Sequence, residues 1–416
     1  MSDQKSPDRR AQIVVLLALA IATILKIEWI VSSIGSADTF IFFTFGKVLS
    51  VNPLKALYEA GPLFNHTPLA GLFVKHLYLA THGKIDPFSK LLRAPSVLAD
   101  IGLVLALLHV RRVTGRPPWW ALTLFAISPV SIMVSGFHGN LDPVMVLLVF
   151  CASIAVMHGR PALCGILFAA ACNVKMMPLL FTPLFFFFWW ARSWRTAARF
   201  TVPFAILMLV GSAVPLVQCP GAYLQHVFGY GGFWGGWGIT FWLRQTGMAN
   251  FQPVNFSELT HVESLIMTTL KCVVIASTLA IAWRRRKVPP SEFFGTVGAV
   301  WVVLFVFAPG AAVQYMVWYA PFILLLEPRW WAAITTGASV YMFLFYHSAS
   351  KWEFPWTFAF PTDEQVPFWS PWSNLPWAAF IGLLIFEGRK WWTAVVPAGE
   401  QVGLVPQQQP LPASAD

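Results

Sequence analysis

Apolar runs of membrane-spanning length follow one another along the chain and constrain its fold more than any other feature. A helix needs about 20 consecutive apolar residues to cross a bilayer. Only 11% of the residues are charged, against about 25% in a soluble domain, so ionic groups are too few to cover a water-exposed surface. The pattern therefore predicts an all-α polytopic membrane protein, a bundle of about 12 transmembrane helices. The runs lie near residues 11–33, 91–110, 118–135, 142–158, 161–173, 176–191, 200–217, 262–283, 291–309, 315–328, 330–348 and 374–388.

The basic residues indicate how this bundle is oriented. The formal net charge of +10 is concentrated in short tracts in every second gap between apolar runs, and an excess of Lys and Arg marks the cytoplasmic loops of membrane proteins. We therefore expect both ends of the chain in the cytoplasm. A nucleic-acid partner is not expected, because it would need a continuous basic face. The tracts are Lys5, Arg9 and Arg10; Arg111, Arg112 and Arg116; Arg192, Arg195 and Arg199; Arg284, Arg285, Arg286 and Lys287; and Arg389 and Lys390.

The chain is expected to form one transmembrane unit over residues 1–390, with long non-cytoplasmic segments at 34–90, 218–261 and 349–373. The first of these outer loops carries two amphipathic stretches, TFIFFTFGKVL and PLAGLFVKHLYLA, which are typical of helices lying in the membrane interface. The tail at 391–416 is rich in Gln and Pro and is predicted to be a disordered cytoplasmic segment.

Five polar clusters interrupt the apolar sequence at the predicted outer ends of spans. Ionisable groups at membrane depth are functional candidates by default, and on this topology all five clusters face one compartment. Asp38 is the carboxylate of the first cluster. The clusters are GSADTF (35–40), FNHTPLAG (64–71), SGFHGNLDP (135–143), NVKMMP (173–178) and APGAAVQYMVWYAP (308–321). The sequence therefore predicts a functional site on the non-cytoplasmic face.

Four of these segments resemble, in order, motifs of the GT-C superfamily of membrane glycosyltransferases. The likeness is greatest to the first mannosyltransferase of GPI-anchor synthesis and its bacterial relatives. FNHTPLAGLF is similar to a Tyr-Thr-Pro-Leu segment, GFHGNLDPVMV to Arg-Gly-Asn-x-Glu/Asp with His138 in place of Arg, NVKMMPLLF to a Lys-x-x-Pro run, and VQYMVWYAPFILL to Gln-Tyr-Phe-x-Trp-Tyr. The resemblance implies a GT-C-like bundle that transfers a sugar, mannose in that family, from a polyprenyl-phosphate-linked donor to a hydroxyl of a lipid or glycan acceptor, with inversion.

One departure from that family concerns metal binding. The family carries Asp-x-Asp in its first outer loop, whereas Ser36, Ala37 and Asp38 stand here. Divalent cations such as Mg²⁺ and Mn²⁺ prefer several oxygen ligands. The missing carboxylate therefore makes a metal cofactor doubtful, and no other cofactor is expected.

Asp38 is the expected catalytic residue. The acceptor hydroxyl must lose its proton as it attacks the sugar, and a general base typically contributes about 10²–10⁴-fold to such a step. Alternatively, Asp38 caps the apolar helix that follows, because Asp is favoured at helix N-caps. The residues alone favour the cap, whereas the resemblance implies a catalytic aspartate in this loop.

The phosphate of the donor requires cationic partners. Lys175 matches the lysine of the resembling family and is the first candidate. Arg244 is the second, because a guanidinium binds phosphate in a bidentate manner. The alternative for both side chains is snorkelling to the interface. Asp142 precedes Pro143 and is expected to cap a helix rather than to act in the reaction.

Uncharged polar side chains complete the predicted binding site. His138 and Asn140 lie in a short turn between spans, where an imidazole or an amide can bind sugar hydroxyls or phosphate. Gln314 and Tyr315 belong to the most specific of the resembling segments, although an interfacial aromatic belt also accounts for Tyr315. His66 is explained equally well as a ligand or as a turn residue.

Two other classes of function stay open at this point: a transporter or flippase of lipid-linked sugar, and an inactive GT-C-like scaffold. Transporters commonly show inverted repeats with sites at the bilayer midplane, and the sequence has no internal repeat. No obvious retention signal for the endoplasmic reticulum is present, so we expect a bacterial plasma membrane rather than that organelle.

Overall fold

The computed structural model describes residues 5–59, 64–229, 234–249, 251 and 259–393. The predicted tail at 391–416 lies outside them beyond its first three residues. The α-helices in chain order are α1 Lys5–Ser32, α2 Ala37–Val51, α3 Lys55–Glu59, α4 Pro68–Ala80, α5 Ile85–Thr114, α6 Trp119–Ala126, α7 Pro129–Ser131, α8 Asp142–Met157, α9 Pro161–Val174, α10 Thr182–Trp190, α11 Trp194–Gln218, α12 Pro220–Gly229, α13 Gly238–Gln245, α14 His261–Arg284, α15 Phe293–Phe307, α16 Ala320–Leu326, α17 Pro328–Ala349, α18 Val366–Trp369 and α19 Asn374–Thr393.

Other short elements connect or extend these helices. A π-helix, Ile132–His138, follows α7, and 3-10 helices lie at Met177–Phe181, Pro290–Glu292, Val313–Val317, Asp363–Gln365 and Ser370–Ser373. The residues described contain one sheet, a parallel pair of two-residue strands, β1 (Gly35–Ser36) and β2 (Phe358–Ala359). This pair joins the first predicted outer loop to the third.

Six helical segments are long and apolar enough to cross a bilayer, which makes this an all-helical polytopic membrane protein. They are Asp8–Ser32, Ile85–Thr114, Trp119–His138, Trp194–Gln218, His261–Arg284 and Pro290–Phe307. Four further apolar segments, Asp142–Met157, Pro161–Val174, Met177–Trp190 and Val313–Leu326, form helices of only 10–17 residues. Each of these segments contains a proline in the first turn of a helix, a position that suits the start of a helix and not its interior. Because these segments are shorter than the six candidate spans, the expected total of about 12 spans stays a prediction.

The two amphipathic stretches of the first outer loop form α2 and α4, which pack against each other. Their apolar faces meet in a cluster that is separate from the main core and includes Phe45 and Val74. Gly46 permits this approach, because a Cβ there would lie 2.6 Å from the backbone oxygen of Val74. The contact sets the position of α2, whose first turn carries Asp38.

Two buried cations join the helices next to that loop. Arg93 of α5 is fully buried, and its guanidinium donates to the backbone oxygens of Ser33 at 2.6 Å and Gly136 at 3.0 Å. Lys26 of α1 pairs with Asp100 of α5 at 2.5 Å between Nζ and Oδ2. Buried charges are tolerated when they are paired. These contacts therefore fix the end of α1 and the π-helix relative to α5.

Candidate active site

The first turn of α2 holds Asp38 against the end of the π-helix. Ser36 is the N-cap of α2: its Oγ accepts from the backbone N–H of Asp38 at 3.3 Å and donates to the backbone oxygen of His138 at 2.7 Å. Gly35 has a φ of +99°, and a Cβ there would lie 2.6 Å from the backbone oxygen of Phe137. Since Ser36 caps the helix, the carboxylate of Asp38 is available for other contacts.

Two side chains contact this carboxylate, and a third contacts one of those two. Its Oδ2 accepts from His138 Nε2 at 2.9 Å and from Gln314 Nε2 at 3.3 Å. On its other side, His138 places Nδ1 at 2.9 Å from the hydroxyl of Tyr346. No residue in the described part of the chain donates to Oδ1 of Asp38, whose side chain is 25% exposed. A ligand can therefore reach Oδ1.

Lys175 is held in a second group of side chains. It follows the last residue of α9, and its Nζ donates to Asp142 Oδ1 at 2.7 Å. Trp318 Nε1 donates to the other carboxylate oxygen of Asp142 at 2.9 Å. The ammonium also lies 4.6 Å and 4.8 Å from the ring centroids of Tyr315 and Trp318, within range of cation–π attraction. Lys175 is thus fixed from several directions.

Asp142 does not have the helix-capping role expected of it, and Asn140 stays a candidate ligand. Asp142 begins α8, but both of its carboxylate oxygens are occupied by Lys175 and Trp318 rather than by the helix end. Asn140 instead accepts from the backbone N–H of Asp142 at 3.2 Å through Oδ1. The Nδ2 of Asn140 is buried and has no partner among the residues described. It is therefore a candidate donor to a bound ligand.

The side chains around Asp38 and those around Lys175 influence each other electrostatically. Burial raises the pKa of Asp38, but His138, Lys175 and His66 together outweigh it and leave that pKa below its ordinary 3.8. Burial and the charge of Lys175 lower the pKa of His66 to about 3. At neutral pH Asp38 is therefore ionised and His66 is uncharged. The Nδ1 of His66 is a further buried polar atom without a partner in the described ranges.

Arg244 makes its contacts apart from the side chains around Asp38 and Lys175. It lies in α13, its Nη2 donates to Ser370 Oγ at 2.9 Å, and its guanidinium carbon is 5.8 Å from the ring centroid of Phe241. It is not among the residues that line the cavity beside Lys175. Arg244 joins α13 to the 3-10 helix Ser370–Ser373, so we do not include it in the donor site proposed below.

A largely apolar cavity of about 490 Å³ begins at Lys175. Its walls come from the 3-10 helix Met177–Phe181, from α14 and from the end of α15, and its lysines are Lys175 and Lys271. Ile275 and Leu279 lie one and two turns after Lys271 and also line the cavity, although their side chains are 50% and 45% exposed. Because α14 is long and apolar enough to span the bilayer, we expect this wall of the cavity to adjoin lipid.

Sequence reasoning does not select Tyr346, Trp318 or Lys271. Tyr and Trp at the ends of apolar runs have an ordinary explanation in the aromatic belt, and a lysine near the end of a span has one in snorkelling. Trp318 alone carries a signal, since it belongs to the segment VQYMVWYAPFILL that supports the resemblance.

Within the described ranges, no group of three or more His, Cys, Asp or Glu side chains is arranged to hold a metal ion. The residues nearest the Asp38 carboxylate are instead nitrogen donors, His138 and Gln314, and both are directed at Oδ2. We therefore assign no step of the chemistry to a metal.

The model of Glycosyltransferase family 87 matches residues 66–309 of the chain, more than half of its length. This range includes His66, His138, Asn140 and Lys175, whereas Asp38 lies before it and Gln314 and Tyr346 lie after it. No curated protein matches the chain significantly.

Proposed function

Because the chain belongs to glycosyltransferase family 87, a family of GT-C-type membrane glycosyltransferases, we propose that it transfers a sugar from a polyprenyl-phosphate donor to a hydroxyl acceptor. Mannose is the proposed sugar, on the sequence resemblance described above. The observation that carries the proposal is the position of an ionised carboxylate, Asp38, within electrostatic range of Lys175, which lines a largely apolar cavity.

Asp38 acts as the general base. The acceptor oxygen attacks the anomeric carbon and forms the new glycosidic bond, while the bond from that carbon to the phosphate oxygen breaks and its electron pair leaves with the phosphate. The acceptor proton passes to Asp38 Oδ1, because Oδ2 already accepts from His138 and Gln314. The low pKa of Asp38 keeps the base unprotonated before the reaction.

The cavity beside Lys175 binds the donor. Its apolar walls and lipid-facing side suit a prenyl chain, and its volume of about 490 Å³ falls in the usual range of ligand pockets, about 300–1,000 Å³. The donor phosphodiester carries one negative charge, and the departing monoester carries about 1.5 to 2 at pH 7. Lys175, held in place by Asp142, stabilises this charge as it develops at the leaving oxygen.

The reaction is proposed to take place on the non-cytoplasmic face. Arg9 and Arg10 lie near the start of α1, and at 1.5 Å per residue they are about 35 Å from Ser33, which lies beside the site. Likewise, the end of α5 carries Arg111 and Arg112. If these basic ends are cytoplasmic, Asp38 lies at the outer end of the bundle.

Turnover by purified protein tests this function. The wild-type protein in detergent is given a synthetic polyprenyl-phosphate sugar and candidate acceptors, and release of polyprenyl phosphate is followed. Asp38→Asn is expected to lower kcat by about 10²–10⁴-fold, with the unfolding temperature as a check on the fold. Asp86→Asn is the matched control, because Asp86 is 61% exposed and pairs with Lys90 on the same helix.

Two results would contradict the proposal. Equal turnover by Asp38→Asn and Asp86→Asn would remove the base assignment. Movement of intact lipid-linked sugar across proteoliposomes, with no cleavage of the sugar–phosphate bond under any acceptor condition, would indicate a transporter instead.

A further inference from the structure

Tyr346 presents a buried hydroxyl to the side of His138 that faces away from Asp38. Tyr346 is 0% exposed, and its ring packs edge-on against Phe137 with centroids 5.3 Å apart. A buried tyrosine hydroxyl ordinarily requires a hydrogen-bond partner. Within the part of the chain that the structure describes, that partner is His138 Nδ1 at 2.9 Å.

This contact distinguishes the two neutral forms of the imidazole. A neutral histidine has one N–H and one lone pair. When the phenol donates to Nδ1, the ring hydrogen must be on Nε2, where it donates to Asp38 Oδ2 at 2.9 Å. In the opposite tautomer the Nε2 lone pair would face the carboxylate, and the phenol hydrogen would lose its acceptor. Only the first arrangement satisfies all three groups.

The backbone of His138 is fixed as well as its ring. Its carbonyl oxygen accepts from Ser36 Oγ at 2.7 Å, and that same Oγ accepts from the backbone N–H of Asp38 at 3.3 Å. His138 and Asp38 are therefore tied together at two points. The hydroxyl of Tyr346 supplies the third constraint, on the orientation and proton position of the ring.

We propose that Tyr346 is a positioning residue for the transfer reaction, whose hydroxyl holds His138 in the Nε2–H tautomer and so keeps Asp38 Oδ1 directed to the acceptor. The inference rests on the proposed function in taking Asp38 as the base, but the tautomer itself can be measured without any turnover. Tyr346 lies beyond the range matched by the family, 66–309.

The groups around Asp38 come from several elements, and the substitution of Tyr346 leaves all of them in place. Lys175 follows α9, His66 precedes α4, and both act on the carboxylate together with His138 of the π-helix. Gln314 contacts it from the 3-10 helix Val313–Val317. Asp142 of α8 lies within electrostatic range of Tyr346 itself. A change in pH dependence on removal of the hydroxyl therefore reports on that hydroxyl.

The tautomer is measured by solid-state nitrogen NMR of the protein in lipid nanodiscs, with ¹⁵N-labelled histidine. The His138 signals are assigned by their loss in His138→Gln. The proposal predicts an unprotonated, hydrogen-bonded Nδ1 and a protonated Nε2 in the wild-type protein. A protonated Nδ1, in the neutral ring or in the imidazolium, would overturn it. The measurement needs no turnover, and His138→Gln serves only to assign the signals.

The kinetic readout is the pH profile of Tyr346→Phe. Tyr341→Phe is the matched control, because Tyr341 is also buried and lies five residues earlier on the same helix. Loss of one hydrogen bond corresponds to a decrease in kcat of about 2- to 10-fold. The acid limb of kcat/KM reports protonation of Asp38. It should move to higher pH, because a ring no longer held in the Nε2–H tautomer donates less to Asp38, and that hydrogen bond lowers the pKa of the carboxyl. The KM for the donor should stay unchanged. A wild-type acid limb in Tyr346→Phe would contradict the positioning role. An active Asp38→Asn would instead contradict the proposed function.

Discussion

Replacement of Gly35 by alanine tests whether the site depends on the close contact between β1 and the π-helix. A Cβ at position 35 would lie 2.6 Å from the backbone oxygen of Phe137 and 2.9 Å from Oγ1 of Thr39, and the φ of +99° is one that L side chains rarely adopt. A strained backbone conformation of this kind costs about 1–3 kcal/mol. Because a backbone oxygen cannot rotate away, β1 must also shift by several tenths of an ångström.

Gly159→Ala provides the matched control. Gly159 also has a positive φ, +66°, but a Cβ there would have no heavy atom within 4 Å. This variant therefore carries the backbone strain alone, about 1–2 kcal/mol. Gly35→Ala adds the steric clash, which brings the expected loss of unfolding free energy to about 2–4 kcal/mol.

The two variants should differ more in activity than in stability. Gly35 precedes the N-cap of α2, so a shift of β1 displaces Asp38, and a misplacement of about 1 Å can reduce a rate by about 10²-fold. We expect kcat to fall by about 10- to 100-fold in Gly35→Ala and to stay at the wild-type value in Gly159→Ala. Unfolding in detergent and single-turnover transfer are the two assays. Equal losses in both variants would refute the argument that this contact positions the base.

Three further predictions concern the cavity and its surroundings. Lys271 is the second lysine of the cavity, and we expect it to donate to the donor phosphate. Lys271→Met should therefore raise the KM for the lipid donor by about 10-fold or more with little change in kcat, because a charge-assisted hydrogen bond contributes about 1.5–3 kcal/mol. Exposed Lys287, mutated to Met, is the control, and equal KM values would contradict phosphate binding by Lys271. Arg244→Ala should lower the unfolding temperature through loss of the hydrogen bond to Ser370 but leave the KM for the donor unchanged. An increase in that KM as large as the one in Lys271→Met would instead indicate that Arg244 binds the phosphate. The pKa of His66 falls from 6.5 to about 3 on folding, so between these pH values the unfolded chain binds more protons than the folded one. The free energy of unfolding should therefore decrease as the pH falls below 6.5, by up to about 1.4 kcal/mol per pH unit. The same pH dependence of unfolding in His66→Gln would show that another group is responsible.

The meeting of Asp38 with His138 and Gln314 could be predicted from the sequence in outline. Alternation of the chain between two sides of a membrane brings the ends of alternate spans to one face, so polar residues at those ends are brought together. The resemblance to GT-C glycosyltransferases indicated which of these polar residues to consider as site residues. The sequence does not specify which atoms pair, because Gln314 contacts an aspartate that is 276 positions away in the chain.

Local patterns are misleading where a residue has a distant partner. Asp142 before a proline has the ordinary pattern of a helix cap, and no local pattern reveals its ion pair with Lys175, 33 residues further along the chain. Tyr346 is separated from His138 by 208 residues, and its place at the end of an apolar run suggests an interfacial tyrosine. Burial of the hydroxyl is what distinguishes the two cases, and it depends on tertiary packing.

The helical class and most helix positions follow from apolar runs, but the local geometry near the site does not. The run near 118–135 corresponds to the candidate span Trp119–His138, which is interrupted at Ile127 and Ser128 and whose last seven residues are π-helical. Gly136 in that segment allows close packing on α1, since a Cβ there would lie 3.0 Å from Cα of Lys26. The π-helix lies where these distant segments pack together, and the apolar run alone does not predict it.

A cryo-electron microscopy structure of the protein with a non-cleavable donor analogue and an acceptor tests the central claim most directly. We predict that the acceptor hydroxyl oxygen lies about 2.6–3.2 Å from Oδ1 of Asp38, that the phosphate contacts Nζ of Lys175, and that the prenyl chain occupies the cavity lined by α14. A donor bound at the end of the bundle that carries Arg111 and Arg112, or an acceptor hydroxyl remote from Asp38, would contradict the account.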